Sequence, residues 1–219
     1  GHRVPRAGAH VVLTVGTDAA VGKMTVALEL VRALERMGER AAFVATGQTG
    51  IAIAGAGIAV DAVVADFIAG AAERMVCDVA ENADWVIVEG QGSLTHPGFS
   101  GVTLGLLHGA GPALMVLCHD AARPALKGYE REGLPVRSLT ECVRLYEDAA
   151  AWRRPPGYPP ARVVAVALNT VAYDDTAARA VIMDVARTTA LPAADPIREG
   201  LPGAMRLAQA LRDAAPVRT

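Results

Sequence analysis

Short, nearly continuous apolar runs recur along the chain at His10–Val15, Ala41–Ala45, Trp85–Glu89, Ala113–Cys118 and Val163–Leu168. Runs of this length, rich in β-branched residues and lacking polar alternation, predict parallel strands covered on both faces. Between them apolar positions return every three or four residues, which predicts helices with one buried face. Met24–Met37 puts Ala27, Leu30, Val31 and Leu34 on one stripe, and Asp61–Ala80 does so with Val64, Phe67, Ile68, Ala71 and Met75. Leu139–Ala151 aligns Cys142, Val143, Tyr146 and Ala150; Asp174–Thr188 and Leu201–Ala214 complete the set. Strands alternating with helices imply a three-layer α/β domain with a mostly parallel sheet and right-handed crossovers. Ligands in such sheets sit beyond the carboxyl ends of the strands. The segments expected there as loops are Gly16–Lys23, Thr46–Ile58, Gly90–Thr103, His119–Pro135 and Asn169–Asp174.

Composition narrows the function classes. The 219 residues, without an obvious linker, suit a single domain over 3–219, with Gly1-His2 read as a cloning remnant. Apolar residues make up 52%, and the net charge of -2 offers no basic surface for nucleic acid. Aromatics at 4% are too sparse for base-stacking platforms. Cys77, Cys118 and Cys142 are widely spaced, as buried thiols of a reduced, cytoplasmic protein would be, and no zinc-type spacing occurs. No apolar run reaches the length of a membrane helix, and no secretory signal is present. The proline-rich stretch Arg154-Pro155-Pro156-Gly157-Tyr158-Pro159-Pro160 reads as a stiff surface connection, with a partner-binding polyproline segment as the alternative.

The candidate chemistry starts at Gly16-Thr17-Asp18-Ala19-Ala20-Val21-Gly22-Lys23-Met24-Thr25, between the first strand and the first helix. Strand, glycine-bounded turn, lysine and helix form a phosphate-binding loop, in which backbone N–H groups, the helix terminus and Lys23 converge on an anion. Gly16, Thr17, Asp18, Ala20, Val21, Gly22, Lys23, Met24 and Thr25 are the candidate cofactor-binding residues. The position after the lysine ordinarily carries the hydroxyl that ligates Mg²⁺. Here it is Met24, whose thioether is a poor ligand for that hard cation, although Thr25 can still donate to a phosphate oxygen. The loop therefore suits the diphosphate of coenzyme A better than Mg²⁺-assisted phosphoryl transfer; Mg²⁺ held through water and other residues is the alternative.

Five residues separate Gly16 from Gly22, and the spacing resembles dethiobiotin synthetase and its relatives, whose loop reads G-T-D-x-x-V-G-K-T. Further runs are Ala45-Thr46-Gly47-Gln48-Thr49-Gly50, Asp61-Ala62-Val63-Val64-Ala65-Asp66-Phe67, Val88-Glu89-Gly90-Gln91-Gly92-Ser93-Leu94 and Leu117-Cys118-His119-Asp120. Together with the loop they resemble a bacterial family long catalogued as a domain of unknown function and typified by D-glutamate N-acetyltransferase. The resemblance runs from about Val11 to Ala194. It implies acetyl transfer from acetyl-CoA, or another acyl-CoA, to the amino group of a small acidic amino acid. Members of that family usually carry an additional N-terminal domain, whereas this chain begins almost at its loop. The dethiobiotin synthetase likeness implies that Asn169 reads adenine, a base that ATP and coenzyme A share.

Other polar residues fall on the same predicted edge. Glu89, at the end of the third strand, is the first candidate for general base, because an ammonium group must lose a proton before its nitrogen attacks a thioester. His96, His119 and Asp120 are read as loop residues that can shuttle protons. Gln48, Thr49, Gln91 and Ser93 offer hydrogen bonds to an acceptor carboxylate or the thioester carbonyl, and Arg123 offers charge to an acidic acceptor or a 3′-phosphate. Each also has a plain reading as a turn or a solvated residue. The alternatives to an acyltransferase are an ATP- and Mg²⁺-dependent kinase or ligase and a non-catalytic nucleotide-binding protein. A homodimer is compatible with all three.

Overall fold

The computed structural model describes residue 3 and residues 8–152 and 159–215. Gly1-His2 and positions 154–158 of the proline-rich stretch lie outside the described residues. In chain order the elements are β1 (His10–Gly16), α1 (Lys23–Arg36), β2 (Ala41–Val44), α2 (Gln48–Ala54), α3 (Ala65–Ala80), β3 (Trp85–Val88) and α4 (Ser100–Ala110). There follow β4 (Leu114–Asp120), α5 (Leu139–Ala151), β5 (Arg162–Asn169), α6 (Asp175–Thr189), β6 (Ala193–Ala194) and α7 (Leu201–Ala214). One six-stranded sheet has the order β2-β3-β1-β4-β5-β6, and every pairing is parallel. β1 lies between β3 and β4, so the chain reverses its direction of winding at the strand that feeds the phosphate loop. A crevice opens at such a switch point.

Alternate residues of β1 serve two cores. Val11, Leu13 and Val15 pack with α3, α4 and α5 through Val76, Leu106 and Tyr146. Val12 packs with α1 and α7 through Leu30, Leu34, Leu207 and Leu211. A smaller core joins Val166 and Leu168 of β5 to Ile182 and Val185 of α6. Burial on both faces is why the strands read as unbroken apolar runs.

Three expectations are corrected. The helix foreseen at Asp61 begins at Ala65, after a 3-10 turn at Val60–Ala62 and two extended β-branched residues, Val63 and Val64. Val64 and Phe67 are exposed, at 68% and 67%, and the buried stripe is Ile68, Ala72, Met75 and Val76. Two segments read as loops contain helices, α2 and α4. In α4 Gly105 and Gly109 serve helix packing: a Cβ on Gly109 would lie 2.3 Å from the carbonyl oxygen of Ala69 in α3. β4 also runs past Cys118, so His119 and Asp120 close a strand instead of starting a loop.

Candidate active site

The loop leaves β1 with Gly16 held from below. The hydroxyl of Tyr146 on α5 donates to the Gly16 carbonyl (2.8 Å) and accepts from the N–H groups of Leu94 (3.2 Å) and Gly16 (3.4 Å). Tyr146 is fully buried, and burial pushes its phenol up to about 12 although Leu94, Ser93 and Gly16 donate to it. It therefore remains a neutral clamp between the phosphate loop and the segment after β3. Sequence reasoning placed Tyr146 only on a helical stripe; its hydroxyl role leaves no periodic signal.

Behind the loop, Asp18 is wholly buried and its oxygens are engaged. Oδ1 accepts from the Ala19 N–H (2.6 Å), and Oδ2 accepts from Arg123 Nη1 (3.0 Å) and the Lys127 N–H (2.7 Å). Arg123 also donates to the carbonyls of Ala19 (2.6 Å) and Ala20 (3.4 Å) and to Asp120 (3.1 Å). Thr17 Oγ1 lies 2.9 Å from Nδ1 of His119, whose imidazole is held below its ordinary pKa by burial. His96 is 3% exposed: Nδ1 accepts from the Gly98 N–H (3.1 Å) and Nε2 donates to the Lys127 carbonyl (2.9 Å), with Phe99 stacked at 4.4 Å. That pattern places the donor hydrogen on Nε2. Ser93 is buried, with its hydroxyl 3.0 Å from that of Thr95. His96, His119, Asp120, Ser93 and Arg123 thus brace the loop, and none of them lines the two cavities in front of it.

The front is different. Lys23, preceded by Gly22 in a left-handed conformation (φ 96°), is 7% exposed and donates from Nζ to the Asp18 carbonyl (2.8 Å). Desolvation lowers its ammonium from 10.5 to about 8, against smaller opposing effects of Cys118, Asp18 and Glu89. A cavity of about 650 Å³ opens here, lined by Ala20, Lys23, Met24, Gln48, Thr49, Glu89 and Gln91 among others. Asp61, Phe99 and Val102, which the sequence did not single out for chemistry, line it too. Glu89 is 5% exposed; Oε2 accepts from the N–H groups of Thr46 (2.9 Å) and Gly47 (3.1 Å). Oε1 has no hydrogen-bond donor among the described residues. Thr46 Oγ1 donates to the Glu89 carbonyl (2.6 Å) and accepts from Gln91 Nε2 (3.0 Å), fixing the two side chains together. Gly90 is demanded by the site: a Cβ there would stand 1.6 Å from the Thr14 carbonyl oxygen.

A second cavity of about 560 Å³ shares Val21, Gly22 and Thr25 with the first. Its walls are largely apolar, from Val21, Val26, Leu168, Val171, Pro196 and Ile197, with Asn169 as a polar handle. Asn169 Oδ1 accepts from the Val171 N–H (3.1 Å), while its Nδ2 has no partner among the described residues. The far wall is anchored by buried Asp195. That carboxylate accepts from the N–H (2.8 Å) and hydroxyl (2.6 Å) of Thr170 and from the N–H groups of Ile197 and Arg198 (both 3.0 Å). This hydrogen bonding makes Asp195-Pro196-Ile197-Arg198 a rigid corner of the cavity. Among the described residues no cluster of His, Cys, Asp and Glu suits a metal ion, and no helix is long and apolar enough to cross a membrane.

The phosphate-loop residues Val21, Gly22 and Thr25 thus join two cavities, one with Asn169 in its wall and the other faced by the buried Glu89 carboxylate. Residues 3–206 match the family described as "Domain of unknown function (DUF1611_C) P-loop domain". A D-glutamate N-acetyltransferase of Pseudoalteromonas sp. is 41% identical over 189 residues, covering 86% of this chain and 55% of its own length. A crystal structure of a DUF1611 family protein from Anabaena variabilis superposes with a TM-score of 0.90 at 40% identity, covering 97% of this chain and 60% of that one. Cobyrinic acid a,c-diamide synthase from Mycobacterium smegmatis, solved with ADP and magnesium, shares the fold with a TM-score of 0.57 at 17% identity, over 93% of this chain and 94% of that one. The chain spans little more than half the length of the curated relatives it matches. With its loop, its sheet order and these matches, the chain belongs to the DUF1611 family through that family's P-loop domain.

Proposed function

We propose that this domain binds acyl-coenzyme A and takes part in N-acyl transfer to a small acidic amino acid, with D-glutamate as the default acceptor and acetyl as the default group. The observation that carries the reading is the division of labour around one phosphate loop. The second cavity suits adenosine, and the first holds Glu89 Oε1 without a donor and presents Met24 where a magnesium-binding hydroxyl would stand. The relative named for D-glutamate N-acetylation supports the choice of chemistry.

Lys23, Gly22 and Thr25 hold the diphosphate, and Asn169 Nδ2 donates to the base. Glu89 Oε1 takes the proton from the acceptor's ammonium group, freeing a nitrogen lone pair for attack on the thioester carbonyl. The C–N bond forms, the C–S bond breaks, and the second proton lost by the attacking nitrogen passes to the departing thiolate, giving the amide and the free thiol. Gln48, on the cavity wall and with no side-chain hydrogen bond among the described residues, donates to the developing oxyanion. Direct transfer suits the cysteines: burial pushes Cys118 up to about 12 and Cys142 up to about 11, which makes neither a ready acyl carrier.

Thermal unfolding with acetyl-CoA, ADP, or ATP with and without Mg²⁺ tests the reading. At one hundred times its dissociation constant a ligand stabilises by about 2.7 kcal/mol. Acetyl-CoA is expected to raise the melting temperature, and acetyl-CoA with D-glutamate to release free thiol. Stabilisation by Mg²⁺-ATP alone, with ADP formed on adding a carboxylic acid, would replace this reading with an ATP-dependent ligase or kinase.

A further inference from the structure

Thr25, Glu29, Arg32 and Arg36 recur on α1 at intervals of four, three and four residues and so share one face. Thr25 lines the second cavity. Glu29, Arg32 and Arg36 line a third one, of about 360 Å³, and Pro196 and Ile197 line both. The third cavity therefore continues from the adenosine cavity along the helix, with Pro196 and Ile197 as the shared wall. Gly200 and Leu201 complete the lining without adding charge, so Arg32, Arg36 and Glu29 set the electrostatics, with a surplus of one positive charge. Arg32 donates one Nη1 bond to Glu29 (2.8 Å), which leaves most of its donors free. Arg36 has no hydrogen bond or ion pair among the described residues.

An adenosine diphosphate has nothing to place in such a cavity. Coenzyme A does, because its ribose carries a 3′-phosphate, a dianion matched by guanidinium forks. The reach is suitable: seven residues of helix from Thr25 to Arg32 advance about 10 Å, and helical side chains lean back towards the N-terminus. Arg123, which the sequence offered for this phosphate, is engaged by Asp18 and Asp120 behind the loop.

We infer that the cavity between Arg32, Arg36 and Ile197 is a subsite for a ribose 3′-phosphate, by which the domain selects coenzyme A over ATP and ADP. The inference rests on the coenzyme A reading above and adds the element that discriminates between nucleotides.

Isothermal titration of the full chain with coenzyme A, 3′-dephospho-coenzyme A, ADP and Mg²⁺-ATP tests it. Coenzyme A is expected to bind about tenfold or more tightly than the dephospho form, a difference of about 1.4 kcal/mol. The double variant Arg32→Ala/Arg36→Ala should abolish that advantage while leaving dephospho-coenzyme A and ADP unchanged, and Arg36→Lys should keep part of it. Because both side chains are exposed, the variants should fold. The advantage should also shrink as salt rises from about 50 mM to about 300 mM, as for an exposed charge contact. Equal binding of the two coenzymes by the wild type would overturn the subsite alone, as would equal weakening of both in the double variant. Binding of Mg²⁺-ATP with neither coenzyme bound would overturn the subsite together with the reading beneath it.

Discussion

The two sides of the phosphate loop are built from the same kinds of residue and put to opposite use. Behind it, Asp18, Arg123, Asp120 and His96 form a closed network in which each polar side chain meets protein donors or acceptors. In front, Glu89 is equally buried but satisfies only one oxygen, and Lys23 keeps its charge at the cost of desolvation. A buried group whose bonds are complete stabilises the loop; one left incomplete is poised for a ligand. Burial and residue type do not separate the two sets. Hydrogen-bond completeness does.

The comparison breaks first at Asp18. Asp18→Ala leaves the Arg123 guanidinium facing an empty site and removes the acceptor of the Lys127 N–H, so urea unfolding should show a loss of about 3–5 kcal/mol. A loss below about 1 kcal/mol would mean that the rear network contributes little. The front should behave in the reverse way. In Glu89→Gln the amide oxygen can still accept from Thr46 and Gly47, so stability should stay within about 0.5–1 kcal/mol of wild type. Acyl transfer should fall at least about a hundredfold, roughly 2.7 kcal/mol in the barrier, for want of a base. Retention of the rate would remove Glu89 from the chemistry.

Much of this was open to reading in one dimension, and the exceptions have physical causes. Doubly covered strands and striped helices announce themselves, as does the loop from Gly16 to Thr25, because their residue types answer to local geometry. α4 did not, since Ser100–Ala110 is apolar around most of its circumference and its glycines mimic a loop while serving contact with α3. α2 was hidden by the glycine and threonine that open it. Of the side chains proposed for chemistry, Glu89, Gln48, Thr49, Gln91, Lys23, Met24 and Asn169 face the two cavities, whereas His96, His119, Asp120, Ser93 and Arg123 turn away. Sequence position puts a residue at the correct edge of the sheet. It cannot say whether a ring nitrogen already has its partner.

Tyr146 belongs to neither side and couples them, because one hydroxyl holds Gly16 at the start of the loop and Leu94 after β3. Tyr146→Phe should cost about 1–3 kcal/mol, since the Gly16 carbonyl and the Leu94 N–H lose a buried partner. If the clamp also positions the front against the back, the remaining folded protein should show a raised KM for the acyl donor with a smaller change in kcat. An unchanged KM would confine Tyr146 to stability.

The smallest effect is a proton count, and it tests whether the front is electrostatically unfinished. Unliganded Lys23 titrates at about 8, so below that pH it is charged with or without a ligand, and binding moves no proton there. A bound diphosphate favours the ammonium form and raises the pKa, so between about 8 and that raised value binding must take up a fraction of a proton. Affinity should therefore weaken as pH rises through 8. The same depression gives the free protein a stability that increases with pH between about 8 and the unfolded value of 10.5, because the unfolded chain binds more protons in that window. Titration calorimetry at about pH 8.5, in two buffers of different ionisation enthalpy, reads the uptake directly. Lys23→Met should remove it, whereas Arg123→Lys, altering a cation already engaged by Asp18 and Asp120, should leave it in place. Proton uptake that survives Lys23→Met would assign the unfinished charge to another group and dissolve the distinction between the two faces of the loop.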